Sequence, residues 1–345
     1  MRRTHLIAIC GIAVTFVLAA ADKTPAQYKI LKTAKAGGAG GFDYVYADSA
    51  NRKLYVPRLG AGAAGRVTVF NLDTLEPEGE IPNVSGHGVA VSDKSKHGFA
   101  SSKPVAMFDA KTLAPIKTID VEGGPDGIMY DPFNDHVWVF SHRAPNATII
   151  NAKDGMVIGT LDLGGAPEQA ASDGKGRIYV DIEDKGEVAV VDAKDRKVIS
   201  RYDLQGKGNG CAGLALDVKN EILFAACREP NNMVILRAVD GKILDTQPIG
   251  QGTDGATFDL KTMEAFSSQR DGTLTIVKEV NPTTFTVEQT LKTMTGGKTL
   301  TFDAKTGHIL IIAAEFGPPA PPTPGGRAGR AQMVPDSFTI LMVGK

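Results

Sequence analysis

Seven aspartates recur along this chain at nearly constant spacing, and each closes a short apolar segment that is followed by a turn and a second apolar segment. They are Asp48, Asp93, Asp131, Asp173, Asp217, Asp259 and Asp303, separated by 45, 38, 42, 44, 42 and 44 residues. A period in the low forties that contains β-type segments is typical of a propeller, in which each period forms one blade around a central channel. The sequence therefore predicts an all-β, seven-bladed β-propeller with four antiparallel strands per blade.

Each repeat contains the same two halves. Residues 124–140, GPDGIMYDPFNDHVWVF, predict an inner strand, a turn and a second strand, and residues 147–165, ATIINAKDGMVIGTLDLGG, predict the third and fourth strands. Apolar or alternating segments with Asp, Asn, Gly, Lys and Pro at the turns are typical of short antiparallel strands. Since the repeat runs without interruption, we expect residues 22–345 to form a single domain, with 42% hydrophobic residues to build its core.

The two ends of the chain are predicted to complete one blade together. After Asp303 the segments HILIIAA and SFTILMV supply a second and a third strand, whereas YKILKTAKAGG at 28–38 supplies a lone strand before the first full repeat. We expect this N-terminal strand to pair beside SFTILMV as the fourth strand of the last blade. Closing the ring in this way removes two open sheet edges.

The repeats resemble those of the YVTN-type (YncE-like) seven-bladed propellers of exported bacterial proteins. The resemblance rests on the two segments quoted above and covers the chain from about residue 28 to the end. Where the family has YVTN, this chain has LYVPR, VWVFS, IYVDI and ILFAA. The resemblance implies the propeller fold and, for function, a binding or surface-associated protein, since fold alone does not specify chemistry.

Residues 1–21 have the composition of a signal peptide. Arg2 and Arg3 precede an apolar run, and residues 19–21 are three alanines that suit signal peptidase cleavage. The run is too short and too poorly flanked for a membrane anchor, and the arginine pair lacks the usual neighbours of a twin-arginine signal. We expect general secretion to the periplasm or the extracellular space, and no membrane span.

Two cysteines remain after removal of this segment, Cys211 and Cys227. They flank one predicted hairpin, with strands at 212–216 and 221–226 that turn near Lys219, so the cysteines lie at equal distances from the turn. Directly opposed strand residues lie within disulfide range, and such a bridge contributes about 3 kcal/mol in the chain-entropy model. Two buried thiols are the alternative, and no CxxC motif or neighbouring histidine supports metal binding.

Several polar residues lie five positions before the repeat aspartates and are predicted to meet at one channel mouth. The positions are Asp43, Gly88, Asp126, Glu168, Ala212, Asp254 and Lys298, with His87 just before Gly88. Converging oxygen ligands suit Ca²⁺, and a neighbouring histidine suits a transition metal. The candidate metal ligands are Asp43, His87, Asp126, Glu168 and Asp254. A turn-organising role and a general acid/base role are the alternatives for these carboxylates.

Basic residues form a second predicted ring at the start of the loops between second and third strands. The set is Arg58, Lys103, Arg143, Lys185, Arg228 and Arg270, with His142 beside Arg143 and Glu315 in the seventh repeat. Guanidinium groups bind carboxylates and phosphates bidentately, so this ring is predicted to bind an anionic small molecule or a protein partner. The alternative is a set of ordinary loop charges, neutralised by nearby acids.

A Pro/Gly-rich insertion at 316–337 is predicted on the same face, as a partner-docking segment, a lid or a tolerated surface loop. The formal net charge of −1 argues against a general polyanion binder, and the basic ring lacks interleaved aromatics, so nucleic acid is not an expected partner. The sequence lacks a CxxCH haem motif and a GxSxG nucleophile elbow. It favours an exported, monomeric binding or scaffold protein without a required cofactor. The alternative is a channel-centred, lactonase-like hydrolase or lyase, assisted by a metal.

Overall fold

The computed structural model describes residues 26–60, 65–318 and 331–345, and all regular structure in these ranges is β-strand. The strands form seven four-stranded antiparallel sheets, so the predicted seven-bladed propeller is confirmed. Within these ranges no helix is long and apolar enough to cross a membrane. The predicted signal peptide at 1–21, and residues 61–64 and 319–330, lie outside the described residues.

Six blades are continuous in sequence, and each runs from the channel outwards. The first blade contains β2 (Tyr46–Asp48), β3 (Lys53–Arg58), β4 (Arg66–Asn71) and β5 (Pro77–Pro82), and the second contains β6 (Val89–Val91), β7 (His97–Ala100), β8 (Val105–Asp109) and β9 (Pro115–Ile119). The third contains β10 (Pro125–Asp131), β11 (His136–Ser141), β12 (Ala147–Asn151) and β13 (Val157–Leu161), and the fourth contains β14 (Pro167–Ser172), β15 (Arg177–Ile182), β16 (Glu187–Asp192) and β17 (Lys197–Asp203). The fifth contains β18 (Cys211–Asp217), β19 (Ile222–Arg228), β20 (Asn231–Arg237) and β21 (Ile243–Pro248), and the sixth contains β22 (Thr253–Asp259), β23 (Glu264–Gln269), β24 (Thr273–Asn281) and β25 (Thr284–Lys292).

The seventh blade joins the two ends of the described chain, as predicted. It contains β26 (Thr299–Asp303), β27 (His308–Ala313), β28 (Thr339–Gly344) and, as its outer strand, β1 (Lys29–Lys35). β1 runs antiparallel to β28, with Lys29 opposite Gly344 and Lys35 opposite Thr339. The N-terminal strand therefore closes the ring.

Tyr28, just before β1, anchors this closure to the sixth blade. Its ring is buried and packs edge-on against Phe266 at 5.2 Å, and its hydroxyl donates to Glu264 Oε2 at 2.5 Å. The Gln289 side-chain amide makes hydrogen bonds of 2.9 Å with both the N–H and the carbonyl of Tyr28. Lys345 Nζ donates to the other oxygen of Glu264 at 2.7 Å. Segments from both ends of the described chain thus meet on one buried carboxylate.

The hydrophobic core lies between neighbouring blades. Trp138 of the third blade belongs to the same buried cluster as Ile178 and Val180 of the fourth, and Phe224 of the fifth stacks on Phe258 of the sixth at 5.1 Å. Alternate strand residues point to opposite faces of a sheet, so each blade buries apolar residues on both sides. This sandwiching holds the inner strands at fixed positions around the channel.

Most of the repeat aspartates end the inner strand of their blade on the face opposite the predicted channel mouth. The buried ones are Asp48, Asp131, Asp217, Asp259 and Asp303. Asp93 and Asp173 lie one residue further on, so the prediction that an aspartate closes every inner strand is wrong for the second and fourth blades. Ser92 and Ser172 occupy the equivalent position there. A serine hydroxyl can replace the carboxylate because it accepts a hydrogen bond from the N–H of the turn, as Ser92 Oγ does from Ser95 N at 3.1 Å.

The disulfide between Cys211 and Cys227 is confirmed. The two residues are directly opposed on β18 and β19, and both are buried. The bridge pins the first hairpin of the fifth blade at its channel-mouth end.

Candidate functional site

A closed circuit of ionisable side chains surrounds one mouth of the channel, and all seven blades contribute to it. In order around the mouth the members are Asp43, His87, Asp126, His142, Glu168, Glu183, Arg228, Asp254 and Lys298. Six members lie just before an inner strand or at its start, and His142, Glu183 and Arg228 lie at the ends of second strands. The topology places both kinds of position on the same face.

One half of the circuit alternates carboxylates with histidines. His87 Nδ1 lies 2.8 Å from Asp43 Oδ2 and 3.1 Å from Asp126 Oδ1. On the other side of Asp126, His142 Nε2 lies 3.2 Å from Asp126 Oδ2 and 3.3 Å from Glu168 Oε1. Asp126 is therefore shared between two histidines, each of which also faces a second carboxylate.

The other half pairs acids with a lysine and an arginine. Lys298 Nζ bonds Asp43 Oδ1 at 2.9 Å and also Asp254, and Arg228 bonds both Asp254 and Glu183. The charges of this half are thus mutually satisfied. Asp254, predicted as a metal ligand, belongs to this half and contacts Lys298, Arg228 and, at 3.9 Å, Arg270 rather than a histidine.

Neighbouring charges perturb the carboxylates beside the first histidine. Burial would raise the pKa of Asp43, but the hydrogen bond to His87 and the charge of Lys298 outweigh it and lower the pKa to about 2. Burial raises the pKa of Asp126 to about 6, and the negative charge of Asp43 adds to this shift. The hydrogen bond to Asp43 raises the pKa of His87, partly offset by burial.

The second histidine is held between two acids in the same way. Its hydrogen bond to Glu168 raises the pKa of His142 to about 9, against an opposing effect of burial. Burial acts to raise the pKa of Glu168, but hydrogen bonds from His142 and Tyr44 lower it overall. Tyr44 OH donates to Glu168 Oε2 at 2.6 Å. Acids thus fix the orientation of both imidazoles.

The structure corrects the predicted role of Arg58. Its side chain is 1% exposed, stacks on the Phe338 ring at 4.0 Å, and donates hydrogen bonds to the carbonyls of Gly37, Gly38 and Gly40. Arg58 therefore ties the connection after β1 to β3 and does not face solvent. A basic residue at a loop start does not reveal its own direction, and here backbone acceptors draw the guanidinium inwards.

The remaining basic positions divide into an inner and an outer group. Arg228 and His142 lie within the circuit, whereas Lys103, Arg143, Lys185 and Arg270 are exposed around it. Arg270 lies nearest the circuit, with Nη2 3.9 Å from Asp254 Oδ2 and its side chain 58% exposed. The predicted continuous basic ring is therefore an outer set of four cations around a mixed inner circuit.

Two metal-binding geometries are available among these residues. The ligand atoms of Asp43, His87 and Asp126 all lie within 4.8 Å of one another, and so do those of Asp126, His142 and Glu168. Separations of this size allow a single cation to contact all three ligands of a triad after small rotamer changes. Imidazole together with carboxylate suits Zn²⁺, Mn²⁺ and related transition ions better than Ca²⁺.

Sequence reasoning missed two contributions to this site. Tyr44 was not singled out, although it directly follows Asp43 on the same connection, and its hydroxyl supports Glu168 from across the channel. His142 was assigned to the basic ring because of its neighbour Arg143. Its side chain instead turns towards the channel, and a strand-end position does not specify which way it turns.

Comparison with known proteins supports the fold. No known sequence family and no curated protein matches this chain. Among solved structures, the chain is similar to "Structure of U3-55K", with a TM-score of 0.71 and 11% identity over 91% of this chain and 98% of that chain. It is also similar to "Crystal structure of RRP9 WD40 repeats", with a TM-score of 0.69 and 12% identity over 92% and 97%. The chain is therefore a seven-bladed propeller with WD40-repeat structural neighbours. Its resemblance to the YVTN-type family stays a prediction.

Proposed function

We propose that this protein is a binding propeller that recognises an anionic ligand or partner at its channel mouth through a bound divalent transition cation. One observation carries the proposal: five ligands of the kinds that such cations prefer converge from four consecutive blades, with Asp126 common to both triads. The ligand set is Asp43, His87, Asp126, His142 and Glu168. Asp126 and Glu168 lie on inner strands and the other three lie close to strand ends, so the rigid blades place these side chains, as a preorganised site requires.

An anion would complete the coordination of such a cation. Three protein ligands leave coordination positions open, as in sites that bind exchangeable groups. The exposed Arg270 and Arg143 lie around the same mouth and add bidentate partners for carboxylate or phosphate. The binding role that the sequence favours and the metal that it offers as an alternative thus become parts of one site.

The first experiment measures the metal directly. We expect purified protein to bind Zn²⁺ in isothermal titration calorimetry, with release of protons, because histidine ligands must be deprotonated to bind. Asp126→Asn is expected to weaken binding at least tenfold, since it alters the ligand shared by both triads. His87→Gln and His142→Gln each affect one triad, so their stoichiometries report whether one or two ions bind.

His308→Gln is the matched control, because His308 lies on the turn side of the seventh blade, remote from the circuit. It should bind Zn²⁺ like the wild type. The proposal fails if Asp126→Asn and His308→Gln bind Zn²⁺ equally well, or if wild-type protein binds no transition ion.

A second candidate function is metal-assisted hydrolysis, and one observation favours it. Glu168 of the ligand set and Tyr44, whose hydroxyl donates to it, also line the central cavity of the channel, so a cation there would face this cavity. A bound cation activates water and polarises carbonyl oxygens. Turnover of a lactone or aryl ester by Zn²⁺-loaded protein, lost in Asp126→Asn, would support hydrolysis. Binding without turnover would support the binding role only.

Export to the periplasm or the extracellular space is part of the proposal. Its support is the Cys211–Cys227 disulfide, because such bonds persist in oxidising compartments. Mass spectrometry of protein expressed with its own N-terminus in a bacterial host should show cleavage near Ala21. Retention of residues 1–21 on protein in the cytoplasm would contradict export and leave the cation site untouched.

A further inference from the structure

A central cavity of about 260 Å³ lies directly beneath the ionisable circuit. Glu168 of the circuit also lines the cavity, together with Tyr44, whose hydroxyl donates to Glu168, so the circuit forms the upper boundary of the cavity. A cavity of roughly 150 Å³ is enough to hold a benzene ring in a protein interior. The space beneath the circuit therefore suits one substituted ring.

One side of this cavity is an aromatic wall. It is formed by residues on, or just before, the inner strands of the first, third and seventh blades, namely Tyr44, Tyr46, Tyr130 and Phe302, with Ile128 between them. All five are only partly buried. Covering aromatic surface that faces a channel with another ring is favourable because it removes apolar area from water, and aromatic pairs favour offset or edge-on contact.

The opposite side is closed by Gln169. Its Oε1 accepts hydrogen bonds from Leu214 N at 3.0 Å and Ala256 N at 2.9 Å, and its Nε2 donates to Ala256 O at 2.9 Å. One side chain of the fourth blade thus fastens the inner strands of the fifth and sixth. Those strands touch at Gly213, where an added Cβ would lie 2.6 Å from Gly255 C. Because these strands are in close contact, the cavity lies towards the aromatic wall.

We propose that this cavity binds a small aromatic acid, with its ring against the aromatic wall and its carboxylate at the circuit above. The carboxylate end rests on the proposed cation site, whereas the ring end does not. Thr257 and Thr301 line the same cavity and offer hydroxyl groups to a substituent on the ring.

Three probes separate the two ends of the ligand: benzoate, acetate and phenol. On Zn²⁺-loaded protein, calorimetry should show benzoate binding at least tenfold more tightly than acetate, because only benzoate places a ring in the cavity. Phenol carries the ring without the carboxylate, and saturation-transfer NMR should detect it on metal-free protein. Failure of the cation site would remove acetate and weaken benzoate while leaving phenol bound.

Thr257→Phe tests the cavity itself, because a phenyl side chain at this lining position takes the space of the ligand's ring. It should weaken benzoate and phenol at least tenfold and leave Zn²⁺ affinity unchanged. Thr290→Phe is the matched control, because the same substitution lies on the exposed outer strand of the same blade. Should Thr257→Phe misfold, Tyr46→Leu replaces it, with an expected loss of about threefold or more in benzoate affinity.

Two results would overturn the inference. One is benzoate binding no more tightly than acetate to the Zn²⁺-loaded protein. The other is equal benzoate and phenol affinity in Thr257→Phe and Thr290→Phe. In either case the metal measurements on the same samples still judge the proposed function separately.

Discussion

Replacing Tyr28 with alanine tests whether the N-terminal segment, by closing the circle of blades, stabilises the whole propeller. The side chain is 5% exposed, and it contacts Phe266, Glu264 and Lys345, whose Nζ lies 4.7 Å from the Tyr28 ring centre. Truncating a buried aromatic residue to alanine costs about 3–5 kcal/mol of the unfolding free energy. The Glu264 carboxylate would also lose the Tyr28 hydroxyl as a hydrogen-bond donor.

The expected change in melting temperature follows from the size of the domain. At about 2.1 cal/mol/K per residue, ~320 residues give an unfolding entropy of roughly 0.7 kcal/mol/K, so the loss corresponds to about 4–7 °C. Tyr28→Phe removes only the hydroxyl and should lose about 1.5–3 kcal/mol, since the acceptor is charged. Differential scanning calorimetry measures both shifts.

Phe133→Ala provides the control, because Phe133 is 41% exposed and lies in a turn of the third blade. It should change the melting temperature by about 1 °C or less. If Tyr28→Ala behaves like Phe133→Ala, or if it frees β1 while the main transition stays in place, the ring does not depend on this closure.

Three further predictions concern buried groups away from the proposed site. Ser replacements at both Cys211 and Cys227 should lower the unfolding free energy by about 3 kcal/mol, and dithiothreitol should then lower the midpoint of urea unfolding only for the wild type. Arg58→Met should destabilise by about 2–4 kcal/mol, because three backbone carbonyls lose their donor, yet leave anion affinity unchanged. Glu279 is 2% exposed, and burial, together with the charge of Asp217, raises its pKa to about 7 despite a hydrogen bond from Asn220. Because the pKa of Glu279 is higher in the folded than in the unfolded protein, its ionisation destabilises the fold by an amount that grows as pH rises from about 4.5 to about 7 and then levels off. Glu279→Gln should therefore gain stability relative to the wild type between pH 5 and pH 8, and a difference in thermal stability that stays constant with pH would contradict this.

The architecture could be predicted because each blade is recognisable from its local sequence pattern. Alternating apolar residues and turn residues repeat about every 42 positions, and strands need little more information than that. The role of YKILKTAKAGG also followed, because one blade had three strands and one strand had no blade. The exact inner-strand ends did not follow, since Ser92 and Ser172 fill the aspartate position while the neighbouring Asp93 and Asp173 continue the regular aspartate spacing of the sequence.

The candidate site could be predicted only in part. Counting back from the repeat aspartates located Asp43, Asp126 and Glu168 on one face, because equivalent positions of a closed repeat lie at one height around the channel. The direction of each side chain was decided by the tertiary structure. Arg58 and Arg228 both end the second strand of their blade, but Arg58 lies 10 residues after its repeat aspartate and Arg228 lies 11. Neighbouring strand residues point to opposite faces, so Arg58 is buried against backbone carbonyls whereas Arg228 bonds two acids of the circuit.

By itself, then, the sequence determined the number of blades, the closing strand, the disulfide pairing and the face on which acids and histidines gather. Those properties depend on local periodicity and on position within a repeat. Only the folded ring decided that Asp126 lies between His87 and His142, that Asp254 turns to Lys298, and that a cavity lies beneath them. These contacts join residues from different blades, and the packing between blades sets which side chains reach one another.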